Sequence, residues 1–248
     1  MVSVVIPVYN CEAYIEETLS SIEAQDYKDI EVIAVNDGSS DGSADRILDY
    51  VNHHNLKVTL LDNRYKKGVA GARNTGIDEA SGDYIAFIDA DDSWRSDKVS
   101  RQVEFMTSHG AAFSFTGYEF ADKDLTPLGK AVHVPEKIDY RHALKNTTIF
   151  TSTVMFDMEK LSREDIYFPD TDSEDTANWW KILKKVPYAY GLDEILTLYR
   201  RSEGTLSSNK LAAVKKIWRL YRRVEKLPLF YSAYCFVCYA ARAVKRRL

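Results

Sequence analysis

Four apolar runs recur in the first third of this chain, each followed by a polar turn or by helical periodicity. Residues 3–8 end in Pro7-Val8-Tyr9-Asn10, and residues 30–35 end in Asn36-Asp37-Gly38-Ser39-Ser40-Asp41-Gly42. A third run covers 58–61, and a fourth, 84–88, meets Asp89-Ala90-Asp91-Asp92. Between them Tyr14, Ile15, Leu19 and Ile22, then Ala44, Ile47, Leu48 and Val51, return at helical spacing. Residues 68–80 also read as a helix despite Gly71 and Gly76. Strands apolar on both sides and separated by helices predict a parallel sheet covered on both faces. Ligands of such sheets bind beyond the carboxyl ends of the strands. Asn10, Asp37 and Asp89 all stand at such ends.

The acidic run is the most telling of these ends. Three carboxylates after a buried strand repel one another and are costly to desolvate. A divalent cation would offset both costs, and hard oxygen ligands suit Mg²⁺ or Mn²⁺, which in turn bind diphosphates. A solvated acidic loop before a helix capped by Ser96 or Asp97 also accounts for the composition. The turn 37–43 has the same ambiguity. Asp37 suits hydrogen bonds from a nucleobase or ribose, while Asx-turn and N-cap chemistry explains the residues equally well. Neither a Walker A nor a G-x-G-x-x-G pattern is present.

A helix follows Ser96 to about residue 109, and the order then becomes mixed. Strands are expected over 112–120, 148–156 and 189–199, a turn over 123–129, and a helix opening at Ser173-Glu174-Asp175 with Trp179 and Trp180. Hydrophobic content of 45% and charged content of 28% fit a globular enzyme. Cys11, Cys235 and Cys238 make no disulfide framework, and no secretory signal is visible at the start. Residues 210–248 hold 11 of the 33 Lys and Arg and one of the 37 acidic residues, a net +10 against −14 for the preceding 209. Lys215, Lys216, Arg219, Arg222, Arg223 and Lys226 interleave with Ile217, Trp218, Leu220 and Tyr221 as in a basic amphipathic helix. An aromatic apolar stretch over 227–241 follows, shorter than a membrane span. It fits a segment in the membrane interface or a helical pair packed on the domain. The acidic body argues against nucleic acid as a partner.

Together these residues resemble the inverting family 2 glycosyltransferases of the GT-A fold. The likeness rests on Ser3-Val4-Val5-Ile6-Pro7-Val8-Tyr9-Asn10, Val35-Asn36-Asp37-Gly38-Ser39-Ser40-Asp41-Gly42-Ser43, Gly68-Val69-Ala70-Gly71-Ala72-Arg73-Asn74-Thr75-Gly76 and Asp89-Ala90-Asp91-Asp92. Glu174-Asp175 before the Trp-rich helix and Leu198-Tyr199-Arg200-Arg201 complete six blocks in family order over about 1–208. A looser likeness, through Tyr199-Arg200-Arg201-Ser202-Glu203-Gly204-Thr205-Leu206-Ser207-Ser208-Asn209, is to cell-surface polysaccharide enzymes of the teichuronic-acid type.

The resemblance implies an α/β fold: a Rossmann-like, mixed but mostly parallel sheet with helices on both faces and a C-terminal helical extension. It implies a nucleotide-sugar-binding half over 1–105, an acceptor-binding half over 106–209 and a basic aromatic tail over 210–248. Pro7, Val8 and Tyr9 would line the nucleobase pocket, and Asp37 would hold the base, most often uracil. Asp89 would contact ribose or donor sugar, Asp92 would touch the sugar, and Asn10, Gly68, Arg73 and Ala90 complete the donor set. Asp91 would hold the Mn²⁺ or Mg²⁺ that bridges the diphosphate, and Asp175 would be the general base. Many relatives carry a His soon after the Tyr-Arg pair. Here Arg201, Ser202 and Glu203 follow Arg200, so Arg200 or Arg201 is expected to reach phosphate directly.

The implied reaction moves a hexose from a nucleoside diphosphate, UDP above all, to a hydroxyl of a polyprenyl-diphosphate-linked or oligosaccharide acceptor. The implied location is the cytoplasmic face of the plasma membrane, held there by residues 210–248 on anionic lipid. A nucleotidyltransferase also fits a doubly wound sheet with acidic ligands, but Pro7-Val8-Tyr9-Asn10-Cys11-Glu12 lacks its glycine- and basic-rich loop. A catalytically silent sugar-nucleotide-binding scaffold is the third alternative; the presence of Asp91 and Asp175 speaks against it.

Overall fold

The computed structural model describes residues 1–145, 148–201 and 210–245. The stretch 202–209, which carries part of the looser likeness, lies outside the described residues. The first half alternates as expected: β1 (Val2–Val8), α1 (Ile15–Glu23), β2 (Ile30–Asn36), α2 (Ser43–His53), β3 (Val58–Asp62), α3 (Val69–Glu79) and β4 (Tyr84–Phe87). These strands pair parallel in the order β3-β2-β1-β4. The chain leaves β1 on one side for β2 and returns on the other as β4, so a crevice opens between the carboxyl ends of β1 and β4. The β1–β4 ladder ends at Val5 and Phe87. Pro7, which has no amide to give, therefore falls where β1 is paired with β2 alone.

After β4 come β5 (Ser93–Trp94), α4 (Lys98–His109), β6 (Phe113–Ala121), β7 (Pro127–Val132), β8 (Lys137–Ile138) and α5 (Tyr140–Ala143). They are followed by β9 (Met155–Asp157), α6 (Arg163–Ile166), α7 (Glu174–Ile182) and β10 (Ala189–Arg200). The sheet continues β4-β9-β6-β10-β5, with β7 on β6 and β8 on β10. Here β9 is antiparallel to both neighbours, while β6 and β10 run parallel. The sheet is therefore mixed, parallel in its first half.

The expected strand over 148–156 is mostly something else. Thr151–Thr153 forms a 3₁₀ turn, and only Met155–Asp157 pairs as β9. The turn places the buried Ser152 against the acidic loop, where its hydroxyl and carbonyl both find partners. Tertiary hydrogen bonds have overridden β propensity there.

Alternation along β1 divides the core. Val4, Ile6 and Val8 pack with Ile15, Leu19 and Ile22 of α1, Ile47 of α2, and Val99 and Met106 of α4. Val5, on the other face, joins Ile33 and Val35 with Ala72 and Ile77 of α3 and Trp179, Trp180 and Ile182 of α7. That second core also takes in the C-terminal hairpin: α8 (Lys210–Arg219), a π turn over Leu220–Val224, and α9 (Leu229–Lys245). Ile217, Leu220, Tyr221 and Cys235 are buried in it, and Tyr221 stacks on Trp180 with ring centroids 5.2 Å apart. One face of the hairpin is thus packed on the domain. No helix among the described residues is long and apolar enough to cross a membrane.

Candidate active site

The loops after β1, β2, β3 and β4 meet at the crevice, and their polar groups fasten them to one another. Asn10 takes a left-handed backbone at φ 47°, and its side-chain oxygen accepts from the Ser40 amide at 2.8 Å. This ties the β1 loop to the β2 loop. Asp37 is buried and reaches the loop after β3, accepting from Asn63 Nδ2 at 2.6 Å and from the Gly68 amide at 2.8 Å. The Asx-turn chemistry of this loop belongs to its neighbours: Asn36 accepts from the Ser39 amide and Asp41 from the Ser43 amide. Gly68 sits at φ 136° and ψ 160°, a region that only glycine occupies without strain, and its amide is turned onto Asp37. At Gly71 an added Cβ would lie 2.2 Å from the Lys66 carbonyl oxygen, so helix α3 can start this close to its loop only without a side chain.

Tyr9 stands 53% exposed at the mouth, with Lys67 Nζ 4.9 Å above its ring. Pro7 and Val8 below it are buried. An exposed aromatic over a floor of buried small side chains can stack against a planar ring.

The acidic loop does not cap α4. The N-cap of that helix is Asp97, whose side chain makes no capping bond. Each carboxylate has its own surroundings instead. Asp92 is wholly buried; Ser152 Oγ donates to it at 2.5 Å and the Arg200 amide at 3.1 Å. Burial, with Asp91 and Asp89 adjoining, pushes its pKa well up. The loop backbone is pinned by Thr18, whose hydroxyl donates to the Ala90 and Asp92 carbonyls, and Ala90 itself packs into the core. Asp91 bonds through its backbone: its carbonyl accepts from Arg200 Nε at 2.7 Å. Among the described residues no side chain donates to its carboxylate. Burial, then the charge of Asp89, pushes that carboxyl up to about 6.

That environment fits a divalent cation, which would replace the proton and relieve the repulsion. No set of three or more His, Cys, Asp or Glu among the described residues encloses a metal. Asp91, with Asp89 beside it, could present hard oxygens from one side only. Mg²⁺ and Mn²⁺ accept such one-sided donors when water and phosphate supply the remaining ligands.

Arg73 joins the acidic loop to α7. Its guanidinium is buried, donates to Asp89 at 2.7 Å and to Glu174 at 3.0 Å, and lies over the Phe168 ring. Its Nε has no hydrogen-bond partner among the described residues. Burial pushes the Glu174 carboxyl up, with Asp175 and Asp89 adding to the shift and Arg73 opposing it. Asp175 follows in the first turn of α7 and accepts from the Thr176 amide at 2.5 Å. Ser173, at φ 56°, turns the chain sharply into this helix. Residues 16 and 101 positions from Arg73 thus share one cation, and the helix that bears Asp175 is fixed against the loop that bears Asp91.

Arg200, expected at the phosphates, is 1% exposed and spans the loop from behind. Besides the Asp91 carbonyl it bonds the Lys123 carbonyl and the Glu17 carboxylate, and it stacks on Tyr14. Sequence reasoning did not single out Asn63, Lys67, Ser152 or Glu17. Asn63 follows a strand end, as Asn10 and Asp37 do, and that position was its only signal. Ser152 carried none, because its segment reads as a strand.

Residues 3–168 match the family model described as Glycosyl transferase family 2. A Bacillus subtilis (strain 168) protein, provisionally named teichuronic acid biosynthesis glycosyltransferase TuaG, is 43% identical over all of this chain and 98% of its own length. WfgD of Escherichia coli, named as a UDP-Glc:α-D-GlcNAc-diphosphoundecaprenol β-1,3-glucosyltransferase, is 36% identical over 92% of this chain and 88% of its own. Among solved structures, S. aureus TarS 1–349 with UDP-GlcNAc superposes with a TM-score of 0.70 at 21% identity, covering 96% of this chain and 71% of that one. The mannosyltransferase PcManGT of Pyrobaculum calidifontis, with GDP-Man and Mn²⁺, gives 0.72 at 20% identity, covering 97% and 73%. The family model over residues 3–168 and the 43% identical relative show that the chain belongs to glycosyl transferase family 2, and the superpositions show its GT-A fold.

Proposed function

We propose that this enzyme transfers a hexosyl group from a UDP-sugar to a hydroxyl of a polyprenyl-diphosphate-linked saccharide, with inversion, during assembly of a cell-surface polysaccharide. The observation that carries the reading is the Arg73 bridge between Asp89 and Glu174, which sets a diphosphate-side loop and an acceptor-side helix at one crevice. Support for donor and acceptor comes from the relatives, since WfgD is named for UDP-Glc and a diphosphoundecaprenol-linked sugar.

In this reading Tyr9 stacks on the nucleobase, with Pro7, Val8 and Asn10 shaping its pocket. Asp37 and Gly68 hold the nucleoside side, and Arg73, Asp89 and Ala90 border the sugar. Asp92 and Arg200 act from beneath by fixing the loop. Asp175 accepts the proton of the acceptor hydroxyl as its oxygen bonds the anomeric carbon. The bond from that carbon to the β-phosphate oxygen breaks on the opposite face, and its electron pair leaves with UDP. One such displacement inverts the centre. A divalent cation at Asp91, Mn²⁺ or Mg²⁺, would supply charge neutralisation at the departing diphosphate. The lipid-linked acceptor puts the reaction at the inner face of the membrane, and residues 210–248 are the segment assigned to that surface.

Incubation with Mn²⁺ and a panel of nucleotide sugars tests the reading. Slow release of free sugar and UDP, quickened by a lipid-linked acceptor, is expected. Pyrophosphate release would make the protein a nucleotidyltransferase, and binding without turnover would make it a scaffold.

A further inference from the structure

The C-terminal hairpin has two faces, and only one is used by the domain. On α9, Ser232 and Cys235 are buried, while Tyr231, Phe236 and Tyr239 pack partly against the core. The opposite side carries Phe230, 89% exposed, with Tyr234, Val237 and Ala241 following at steps of four, three and four residues. Leu229 is exposed at the start of the same helix. This is an uninterrupted apolar stripe facing away from the protein, the arrangement that a monomeric soluble domain avoids.

Cations border the stripe. Arg222, Arg223 and Lys226 stand exposed just before α9, and Arg242 stands exposed near its end. Neither Arg223 nor Lys226 pairs with an acidic group among the described residues. A cleft of about 400 Å³ between α8 and α9 is lined by Lys215, Trp218, Arg219 and Phe236, again aromatic rings beside cations. A helix of 17 residues is about 25 Å long, and no helix among the described residues is long and apolar enough to cross a bilayer, so on a membrane α9 would lie in the interface plane.

We propose that the outward face of α9, through Phe230, Tyr234 and Val237, docks on an anionic bilayer, with Arg222, Arg223, Lys226 and Arg242 against its headgroups. The proposal rests on the lipid-linked-acceptor reading for its purpose, but not for its test. Because the other face of the hairpin is part of the core beside α7, docking would hold the whole catalytic domain in one orientation to the membrane. The occupant is argued from charge: a segment of net +10 whose cations border an apolar stripe selects an anionic surface with an apolar interior, and would be repelled by the equally basic hairpin of a second copy packed stripe to stripe.

The test uses the full chain and vesicles of phosphatidylglycerol and phosphatidylcholine in equal parts, with phosphatidylcholine alone as control. Co-sedimentation should occur with the mixed vesicles and fall as salt rises. The double variant Phe230→Ser/Val237→Ser, which alters no charge, should lose at least about tenfold in partitioning. The triple variant Arg222→Gln/Arg223→Gln/Lys226→Gln should lose several-fold and become less sensitive to salt. Circular dichroism and UDP affinity of both should match the parent. Unchanged partitioning of the double variant would overturn the proposal. So would a concentration-dependent dimer that the double variant abolishes while vesicle binding persists, since the stripe would then join two copies. Absence of sugar transfer with every donor would sink the transferase reading and leave the vesicle result standing.

Discussion

The crevice loops and the C-terminal hairpin are held in place by opposite means. The loops are fixed by carboxylates and amides that satisfy one another: Asp37 with Gly68 and Asn63, Asn10 with Ser40, Asp92 with Ser152 and the Arg200 amide. The hairpin is fixed by rings and aliphatic side chains, with Tyr221 on Trp180 and Ile217, Leu220 and Cys235 in the core. Polar networks fix position in a low dielectric and lose most when half of a pair is removed. Apolar packing fixes a surface and loses in proportion to volume. Damage to the loops should therefore appear in chemistry, and damage to the hairpin in stability.

The sharpest test of that division is Asp91→Asn. Transfer should fall by roughly 10³-fold or more, with UDP affinity weakened in Mn²⁺ but equal to the parent in EDTA, and with an unchanged melting temperature. Full activity in EDTA would break the metal assignment. Next, Asp175→Asn should cost roughly 10² to 10⁴ in turnover while donor affinity holds. A loss of donor affinity at constant turnover would make it a binding residue.

On the other side, Tyr221→Ala should destabilise by about 3 to 5 kcal/mol in urea unfolding, and donor hydrolysis by the folded fraction should persist. An unaltered midpoint would show that the hairpin is not part of the core, contrary to the burial of Tyr221. Gly68→Ala should mix the two behaviours. The backbone at φ 136° strains any side chain by about 1 to 3 kcal/mol, and movement of the amide on Asp37 should weaken donor binding as well. The smallest effect belongs to Phe230→Ser, within about 0.5 kcal/mol of the parent in stability. A larger loss would mean that the stripe is packed.

The same contrast explains what could be read from the residues alone. The parallel half of the sheet was legible because its information is local: apolar runs, helical periods and turns of Asp, Asn and Gly within a few positions. Convergence of Asn10, Asp37 and Asp89 followed from the rule for strand ends. Arg73 was legible as a motif residue, yet its span from Asp89 to Glu174 was not, since nothing in sequence spacing says that a buried cation will serve two acids so far apart. The turn at Ser152 and the seating of Tyr221 on Trp180 were likewise invisible. Each is a tertiary choice between a β-prone segment and a hydrogen-bonded turn, or between solvent and a partner ring.

The place of β10 in the sheet sets the order in which the crevice can be completed during synthesis. This strand lies between β6 and β5, and its last residue supplies both the amide on Asp92 and the guanidinium on the Asp91 carbonyl. The acidic loop is made more than 100 residues earlier. Until residue 200 has left the ribosome, the first strands can fold as a unit, but Asp92 lacks the Arg200 amide and the Asp91 carbonyl lacks its guanidinium. In the nascent chain the parallel half of the sheet can therefore form before the acidic rim is closed, and the rim is completed only once β10 has been made.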